Sequence, residues 1–141
     1  MCRFLTATKE RCVVFAQWPS LVQFLAGELE AAGVKARALA GQTKTLENAL
    51  RAFESGEVAV IVVPYECCAG LTLTSAAHLI LYHGTSQQAL VEAALRCVQR
   101  PGQTTKLTVH RMLAKATLEP SLHRMMVEDE CISRRFVQVG S

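Results

Sequence analysis

The chain has 141 residues, of which 50% are hydrophobic and 19% are charged, and its formal net charge is +3 at pH 7. This composition is typical of one globular domain and excludes a disordered chain. So small an excess of positive charge carries almost no information about a nucleic-acid partner, and the apolar runs are far shorter than the roughly 20 residues of a transmembrane helix.

The six cysteines indicate a reducing compartment rather than a zinc site. They occur at positions 2, 12, 67, 68, 97 and 131, and none of them forms the Cys-x-x-Cys spacing of a structural zinc knuckle. The first ten residues also lack the apolar segment of a secretory signal peptide. We therefore expect an intracellular protein.

The first half of the chain predicts strands that alternate with helices. Residues 1–10 carry no strong pattern and are interpreted as a linker. Ser20 and Thr45 are the expected N-caps of two helices, and Gly33 ends the first of them. The run VAVIVV contains only β-branched residues and alanine, which predicts a strand in the middle of a parallel sheet. The predicted elements are a strand over 12–16, a helix over 21–32, a strand over 34–39, a helix over 45–55 and a strand over 58–63.

The second half continues this alternation up to about residue 127. A loop rich in small residues covers 64–74, and the remaining residues, 128–141, are interpreted as a tail. The predicted elements are a strand over 78–82, a helix over 87–98, a strand over 107–112 and a helix over 118–126. Strands and helices that alternate over short loops predict a three-layer α/β/α fold with a mostly parallel sheet, here over residues 11–127.

Ligands of such a sheet bind at the carboxyl ends of its strands. The sequence contains no Walker phosphate-binding loop, no dinucleotide-binding glycine motif, no nucleophile elbow and no zinc-protease motif. The chain alone therefore supplies no cradle for the phosphates of a nucleotide. His78 and His110 lie in predicted strands and are interpreted as structural residues rather than metal ligands.

Five segments in this order resemble the second motor lobe of Swi/Snf-type proteins of helicase superfamily 2. The segments are CVVFAQW, RALAGQT, ALRAFESGEVAVIVV, GLTLTSAAHLIL and RPGQTTKLTVHRMLAKATLE. The resemblance covers roughly residues 11–126. It implies a RecA-like, P-loop NTPase-like lobe of an ATP-dependent DNA translocase or helicase that acts in the nucleus, in chromatin or DNA repair.

The resemblance also implies which residues carry the chemistry. In such motors a first lobe holds ATP and Mg²⁺, and an arginine of the second lobe stabilises the transferred phosphoryl group. Arg100 matches that arginine. The residues that match the nucleotide-facing positions are Gly70, Gly102 and Gln103. The residues that match contacts to the DNA backbone are Gln17, Thr43, Lys44, Thr72 and Thr74.

The implied partners are the N-terminal RecA-like lobe of the same parent protein, duplex DNA and other proteins, without a membrane. Alone, the chain is expected to have no ATPase activity, no tightly bound cofactor and no metal site. ATP and Mg²⁺ are expected only together with the missing lobe.

Several matched positions lack the polar residue that the family uses. Cys97 replaces the first of two arginines, Ala93 replaces a glutamine, and His83 replaces an aspartate. The pair Cys67-Cys68 replaces two glycines, and Thr72 replaces an asparagine. This pattern fits a divergent motor, and it equally fits a degenerate, non-catalytic lobe that binds a protein partner or stabilises a neighbouring domain. A third interpretation, an unrelated enzyme that uses a cysteine, conflicts with the helicase-like order of the segments.

The residues of interest also have plain structural interpretations. Arg100 could be a solvated arginine that favours the negative end of its helix, and Thr43 and Lys44 an ordinary polar turn. Cys67-Cys68 could be small loop residues that pack. Trp18 could pack the end of its strand against the following helix.

Overall fold

A computed structural model of the chain describes residues 2–82, 88–99, 106–113 and 136–140. Its helices are α1 (Cys2–Ala7), α2 (Pro19–Ala31), α3 (Thr43–Ser55) and α4 (Gln88–Val98). Its strands are β1 (Cys12–Ala16), β2 (Ala36–Ala38), β3 (Val60–Pro64), β4 (His78–Leu81), β5 (Thr108–Leu113) and β6 (Phe136–Gly140), and a short 3₁₀ helix spans Tyr65–Cys67.

The six strands form one sheet in the order β2-β3-β1-β4-β5-β6, and each of these pairings is parallel. The predicted α/β fold with a mostly parallel sheet is therefore confirmed. Strand β3 is paired on both sides but lies one strand from the edge, and β1 and β4 occupy the middle of the sheet. All five residues of β1 and all five of β3 are buried, as continuous apolar runs predict for strands that are covered on both faces.

The sheet is covered by helices on both faces, because successive residues of each strand point to opposite sides. Val13 and Phe15 of β1 pack into the layer that contains α3 and α4. Cys12 and Val14 pack into the layer that contains α1 and α2, where Leu29 is fully buried. Two separate apolar layers of this kind are what the three-layer prediction requires.

The predicted helix starts are wrong by about two residues, whereas the predicted end of the first helix at Gly33 is confirmed, since Gly33 follows the last residues of α2 with φ +87°. Helix α2 begins at Pro19 after Trp18, and α3 begins at Thr43 after Gln42, in both cases without a capping hydrogen bond from a side chain. Proline fixes φ near the helical value, so it can begin the helix ahead of the expected cap Ser20. Gly56 follows α3 with φ +84°, a left-handed conformation in which glycine is unstrained.

Two elements were absent from the sequence prediction. The first is α1, whose Leu5 is only 3% exposed, in the segment interpreted as a linker. The second is β6, which lies in the segment interpreted as a tail and pairs with β5 from Val109↔Phe136 to Leu113↔Gly140. The predicted helix over 118–126 lies outside the described residues.

Candidate functional site

The parallel sheet brings three of the predicted segments to one edge. Every strand runs the same way, so the segments that follow the strands share the carboxyl edge. Along this edge the turn 41–44 after β2 is followed by the start of the loop after β3, at Tyr65–Cys67, and then by residues 17–18 after β1. Segments that are far apart in the sequence thus become neighbours, as the prediction required.

Three of the polar residues predicted to contact DNA, Gln17, Thr43 and Lys44, directly follow strands at this edge; Thr72 and Thr74 lie where the loop after β3 returns to the amino end of β4, since the amide of Leu73 bonds to Cys97 at the end of α4 and the hydroxyl of Ser75 bonds to Glu54 at the end of α3. Gln17, Thr43, Lys44 and Thr72 are exposed, and Thr74 is half-buried. Thr43 and Lys44 are the first two residues of α3, so the ammonium group of Lys44 lies at the positive end of a helix dipole. This arrangement favours an anion at the start of α3 and fits a phosphate contact.

The loop after β3 rests on a buried aromatic pair. Tyr65 is 3% exposed, and its ring stacks on that of Phe15 with 5.6 Å between centroids; burial raises the pKa of the Tyr65 hydroxyl above its usual range. Gly70, later in the same loop, is exposed and has φ +82°. A Cβ added at Gly70 would meet no atom within 4 Å, so the backbone conformation, rather than lack of space, favours glycine here.

Cys97, which matches the first arginine of the family's pair, points into the protein. It is 3% exposed, and its thiol donates a hydrogen bond of 2.7 Å to the carbonyl oxygen of Cys68. The backbone carbonyl of Cys97 accepts a second bond of 2.7 Å, from the amide of Leu73. Position 97 therefore fixes the end of α4 to the loop after β3 and does not face the carboxyl edge.

Two other residues of α4, Ala93 and Arg96, lie near Cys97 in the sequence. Ala93, at the position of the family's glutamine, is half-buried and packs against the apolar layer below α4. Arg96 is exposed, with its guanidinium 3.5 Å from the carboxylate of Glu92 one turn earlier. Adjacent residues on a helix diverge by about 100°, so Arg96 does not take the place of Cys97.

Four cysteines are free thiols, at positions 12, 67, 68 and 97. A hydrogen bond between the Cys68 thiol and the Cys97 side chain, followed by burial, raises the pKa of Cys68 well above its usual range, and burial followed by Glu66 raises that of Cys67. Burial, with Glu10 as a smaller cause, raises the pKa of Cys12 to about 12. Nucleophilic cysteines need a lowered pKa, so these thiols fit packing rather than catalysis.

Trp18 departs from the packing role that the sequence suggested, since it is 54% exposed at the carboxyl edge. His78 and His110 do lie in strands, as predicted; these strands are neighbours in the sheet, and the two rings are hydrogen-bonded to each other. Within the described ranges, no cluster of three or more His, Cys, Asp or Glu side chains could hold a metal ion.

Sequence reasoning missed the role of Arg11. Its guanidinium donates to the carbonyl oxygens of Phe53 and Glu54 at 3.3 and 3.0 Å, at the end of α3. The backbone carbonyl of Arg11 also accepts from the amides of Ala77 and His78. An arginine directly before a predicted strand was the available signal, but its partners lie more than forty residues away in the chain.

Four residues lie outside the described ranges, so their predicted roles stay predictions: Arg100, Gly102, Gln103 and His83.

A cavity of about 360 Å³ lies at the amino ends of β2 and β3 and is lined by residues that include Glu30, Lys35, Arg37 and Glu57. This cavity is at the opposite edge of the sheet from the predicted site.

No helix in the part of the chain that the structure covers is both long and apolar enough to cross a bilayer.

The chain is similar in sequence to known proteins. Residues 1–107 match the family model described as helicase conserved C-terminal domain. The human E3 ubiquitin-protein ligase SHPRH is 27% identical over 118 residues, which cover 82% of this chain and 7% of that protein. A DNA (cytosine-5-)-methyltransferase, DMT5, of Cryptococcus neoformans is 29% identical over 124 residues, which cover 80% of this chain and 5% of that protein.

The fold also has a solved counterpart. The crystal structure of the C-terminal part of the Fun30 ATPase domain matches 85% of this chain and 40% of that chain, with a TM-score of 0.73 and 15% identity. The chain therefore spans less than a tenth of the length of the curated relatives it matches and under half of this structural neighbour.

Proposed function

Since the chain belongs to the helicase conserved C-terminal domain family, as a lobe of the Swi/Snf type, we propose that it is the second motor lobe of an ATP-dependent DNA translocase or helicase. The proposed setting is chromatin or DNA repair in the nucleus. The proposed partners are a first RecA-like lobe of the same parent protein and duplex DNA. The lobe is proposed to be inactive without that first lobe.

The observation that carries this proposal is the composition of the carboxyl edge. The family match extends over three quarters of the chain, and Gln17, Thr43 and Lys44 directly follow strands at the edge where parallel sheets bind ligands. Lys44 and the exposed Thr43 at the start of α3 suit backbone phosphates of a nucleic acid. Such contacts hold the strand in position without reading its sequence.

The chain's own residues can complete a nucleotide site but cannot form one alone. The sequence has no Walker loop, so the phosphates and Mg²⁺ have to be held by another lobe. The exposed backbone at Gly70 leaves room for a ligand, because no atom lies within 4 Å of the missing Cβ. Gly102 and Gln103 are proposed to face the nucleotide beside it. Arg100 is proposed to stabilise negative charge on the phosphoryl group as it is transferred.

The test is DNA-stimulated ATP hydrolysis by the full-length parent protein. Arg100→Ala is expected to lower the rate by at least about 10³-fold, the range for arginine fingers of related NTPases. Arg96→Ala is the matched control, since Arg96 is an exposed arginine on α4 that pairs with Glu92. An unchanged rate in Arg100→Ala refutes the proposed role of this arginine.

One observation favours a second candidate, a degenerate lobe that serves as a protein-interaction or structural module. The Cys97 side chain is held in the core by the hydrogen bond from its thiol to the Cys68 carbonyl. Ala93 packs against the same apolar core, at a position where the family has a polar side chain. If the wild-type parent shows no DNA-stimulated hydrolysis, this second candidate replaces the first.

A further inference from the structure

Glu10, His78 and His110 form a hydrogen-bonded row, here termed the histidine chain, at the amino side of the sheet. One carboxylate oxygen of Glu10 lies 2.5 Å from Nε2 of His78. Nδ1 of His78 lies 3.0 Å from Nε2 of His110. This row lies on the opposite side of the sheet from the proposed motor site and plays no part in the proposed hydrolysis.

The hydrogen bonds assign the protons of both rings. A carboxylate only accepts, so His78 donates from Nε2, and its Nδ1 is then the acceptor for Nε2–H of His110. Nδ1 of His110 is left as a bare acceptor. That atom is buried and has no hydrogen-bond partner among the described residues, and His110 as a whole is 4% exposed.

This arrangement accepts an extra proton poorly. A proton added to either ring leaves His110 with an N–H at Nδ1, where no described group accepts it. A second added proton turns both facing nitrogens into donors 3.0 Å apart, so the hydrogen bond between the rings has to break. Burial and the neighbouring His78 accordingly lower the pKa of His110.

The histidine chain also supports α1. The ring of Phe4 packs on both imidazoles, with centroids 5.2 Å from His78 and 4.7 Å from His110. Next to it Leu5 is buried in the apolar layer. A helix of six residues is too short to be stable alone, so α1 depends on this docking surface.

We propose that proton uptake by the histidine chain releases α1 from the sheet, which makes docking of this segment pH-dependent. The released state binds protons more tightly than the docked state. Docking is therefore complete above the ordinary histidine pKa of about 6.5 and is lost as the pH falls toward the lowered pKa of His110.

Two neighbouring features shape this response. Cys12 lies opposite His78 in the β1–β4 register, but burial keeps its pKa near 12, so it stays neutral throughout. Glu10 is the acidic side chain that contacts the pair, and its negative charge attracts a proton taken up by the histidine chain. The two ring nitrogens of His78 serve different partners on opposite sides of the ring, so the three side chains do not converge on a metal ion.

The experiment is amide hydrogen exchange of the 141-residue chain at about pH 7.5 and about pH 5.5, with rates corrected to protection factors. The amide of Thr8, which donates to the Phe4 carbonyl at 2.9 Å, reports on α1, and that of Val14 in β1 reports on the core. At the lower pH we expect protection at Thr8 to fall roughly tenfold, because one linked proton changes an equilibrium by up to about tenfold per pH unit. The protection factor at Val14 should be the same at both pH values.

Two variants and a control complete the design. His110→Phe keeps an aromatic ring against Phe4 and removes the buried nitrogen, so protection at Thr8 should no longer depend on pH. Glu10→Gln removes the negative charge that attracts an added proton in the docked state, so the fall in protection should become larger. Glu92→Gln, which removes a carboxylate from α4, should behave like the wild type.

Two results overturn the proposal. The first is a wild-type Thr8 protection factor that is the same at both pH values. The second is a parallel fall at Thr8 and Val14, which indicates unfolding of the whole domain. If His110→Phe does not fold, the comparison of Glu10→Gln with Glu92→Gln decides, because an equal response of these two variants also overturns it.

Discussion

Replacing Cys97 with the arginine of the Swi/Snf-type motif should damage the fold rather than restore a motor. The side chain at position 97 is 3% exposed in the layer below α4. An arginine there loses the hydrogen bond to the Cys68 carbonyl, worth about 1 kcal/mol. It also brings in a buried charge without a partner, which typically costs about 3–5 kcal/mol. We therefore expect Cys97→Arg to lower the free energy of unfolding by about 3–5 kcal/mol, a large part of the stability of an ordinary domain.

The assay is urea unfolding of the 141-residue chain, followed by far-ultraviolet circular dichroism at constant pH. Cys97→Ser keeps a donor for the Cys68 carbonyl at similar volume, so it should lose no more than about 1–2 kcal/mol. Arg96→Ala alters a neighbouring exposed residue whose ion pair with Glu92 is worth under about 0.5 kcal/mol. The expected order of stability is thus wild type and Arg96→Ala, then Cys97→Ser, then Cys97→Arg.

A stability of Cys97→Arg within about 0.5 kcal/mol of the wild type would refute this reasoning. It would mean that a side chain at position 97 can leave the core and reach the carboxyl edge. Faster ATP hydrolysis by the full-length parent with Cys97→Arg would refute it functionally, since the arginine would then have regained the family's role. Either result would make the second candidate function the weaker one.

Three further predictions follow from contacts described above. Lys44→Ala in the full-length parent should weaken binding to duplex DNA and reduce the slope of log binding constant against log salt concentration by about 1. The control is Lys35→Ala, at an exposed lysine by the amino end of β2, and an equal loss of DNA affinity in both variants would contradict the phosphate contact. Arg11→Ala should cost about 1–3 kcal/mol in urea unfolding because it removes two charge-assisted bonds to the end of α3, whereas the exposed Arg51→Ala should cost under about 0.5 kcal/mol. Gly70→Ala should cost about 1–2 kcal/mol from its left-handed backbone alone, and a much larger loss would indicate a steric clash that the structure does not show.

The middle of the fold was predictable from the sequence because its strands are covered on both faces. Continuous apolar runs such as 12–16 have no other favourable place than a buried parallel strand. The two missed elements lack such a signal. Helix α1 has six residues and no capping motif, and it is held by Phe4 and Leu5 against the rest of the protein. Strand β6 follows a segment without clear periodicity and is defined by its pairing with β5.

The candidate site was predictable in part, and for a topological reason. Once the sheet is parallel, residues that follow different strands, such as Gln17 and Thr43, have to share one edge. The direction of a single side chain depends on more, namely on how each helix is rotated against the sheet. That rotation buries Cys97 and exposes Arg96. The histidine chain joins positions 10, 78 and 110, a grouping that arises from the register of β4 and β5 and from the course of the segment before β1.

The place of β1 in the sheet sets the order in which the domain can form during its synthesis. Cys12 pairs with Val60 on one side and with His78 on the other, so β1 is made long before either of its neighbours. Translation adds about 5–20 residues per second. For seconds, therefore, a strand of five apolar residues has both edges open, which is the state in which strands pair with the wrong chain. Helix α2 follows β1 directly and covers one of its faces, so early packing of α2 is the protection that the growing chain has within its own sequence.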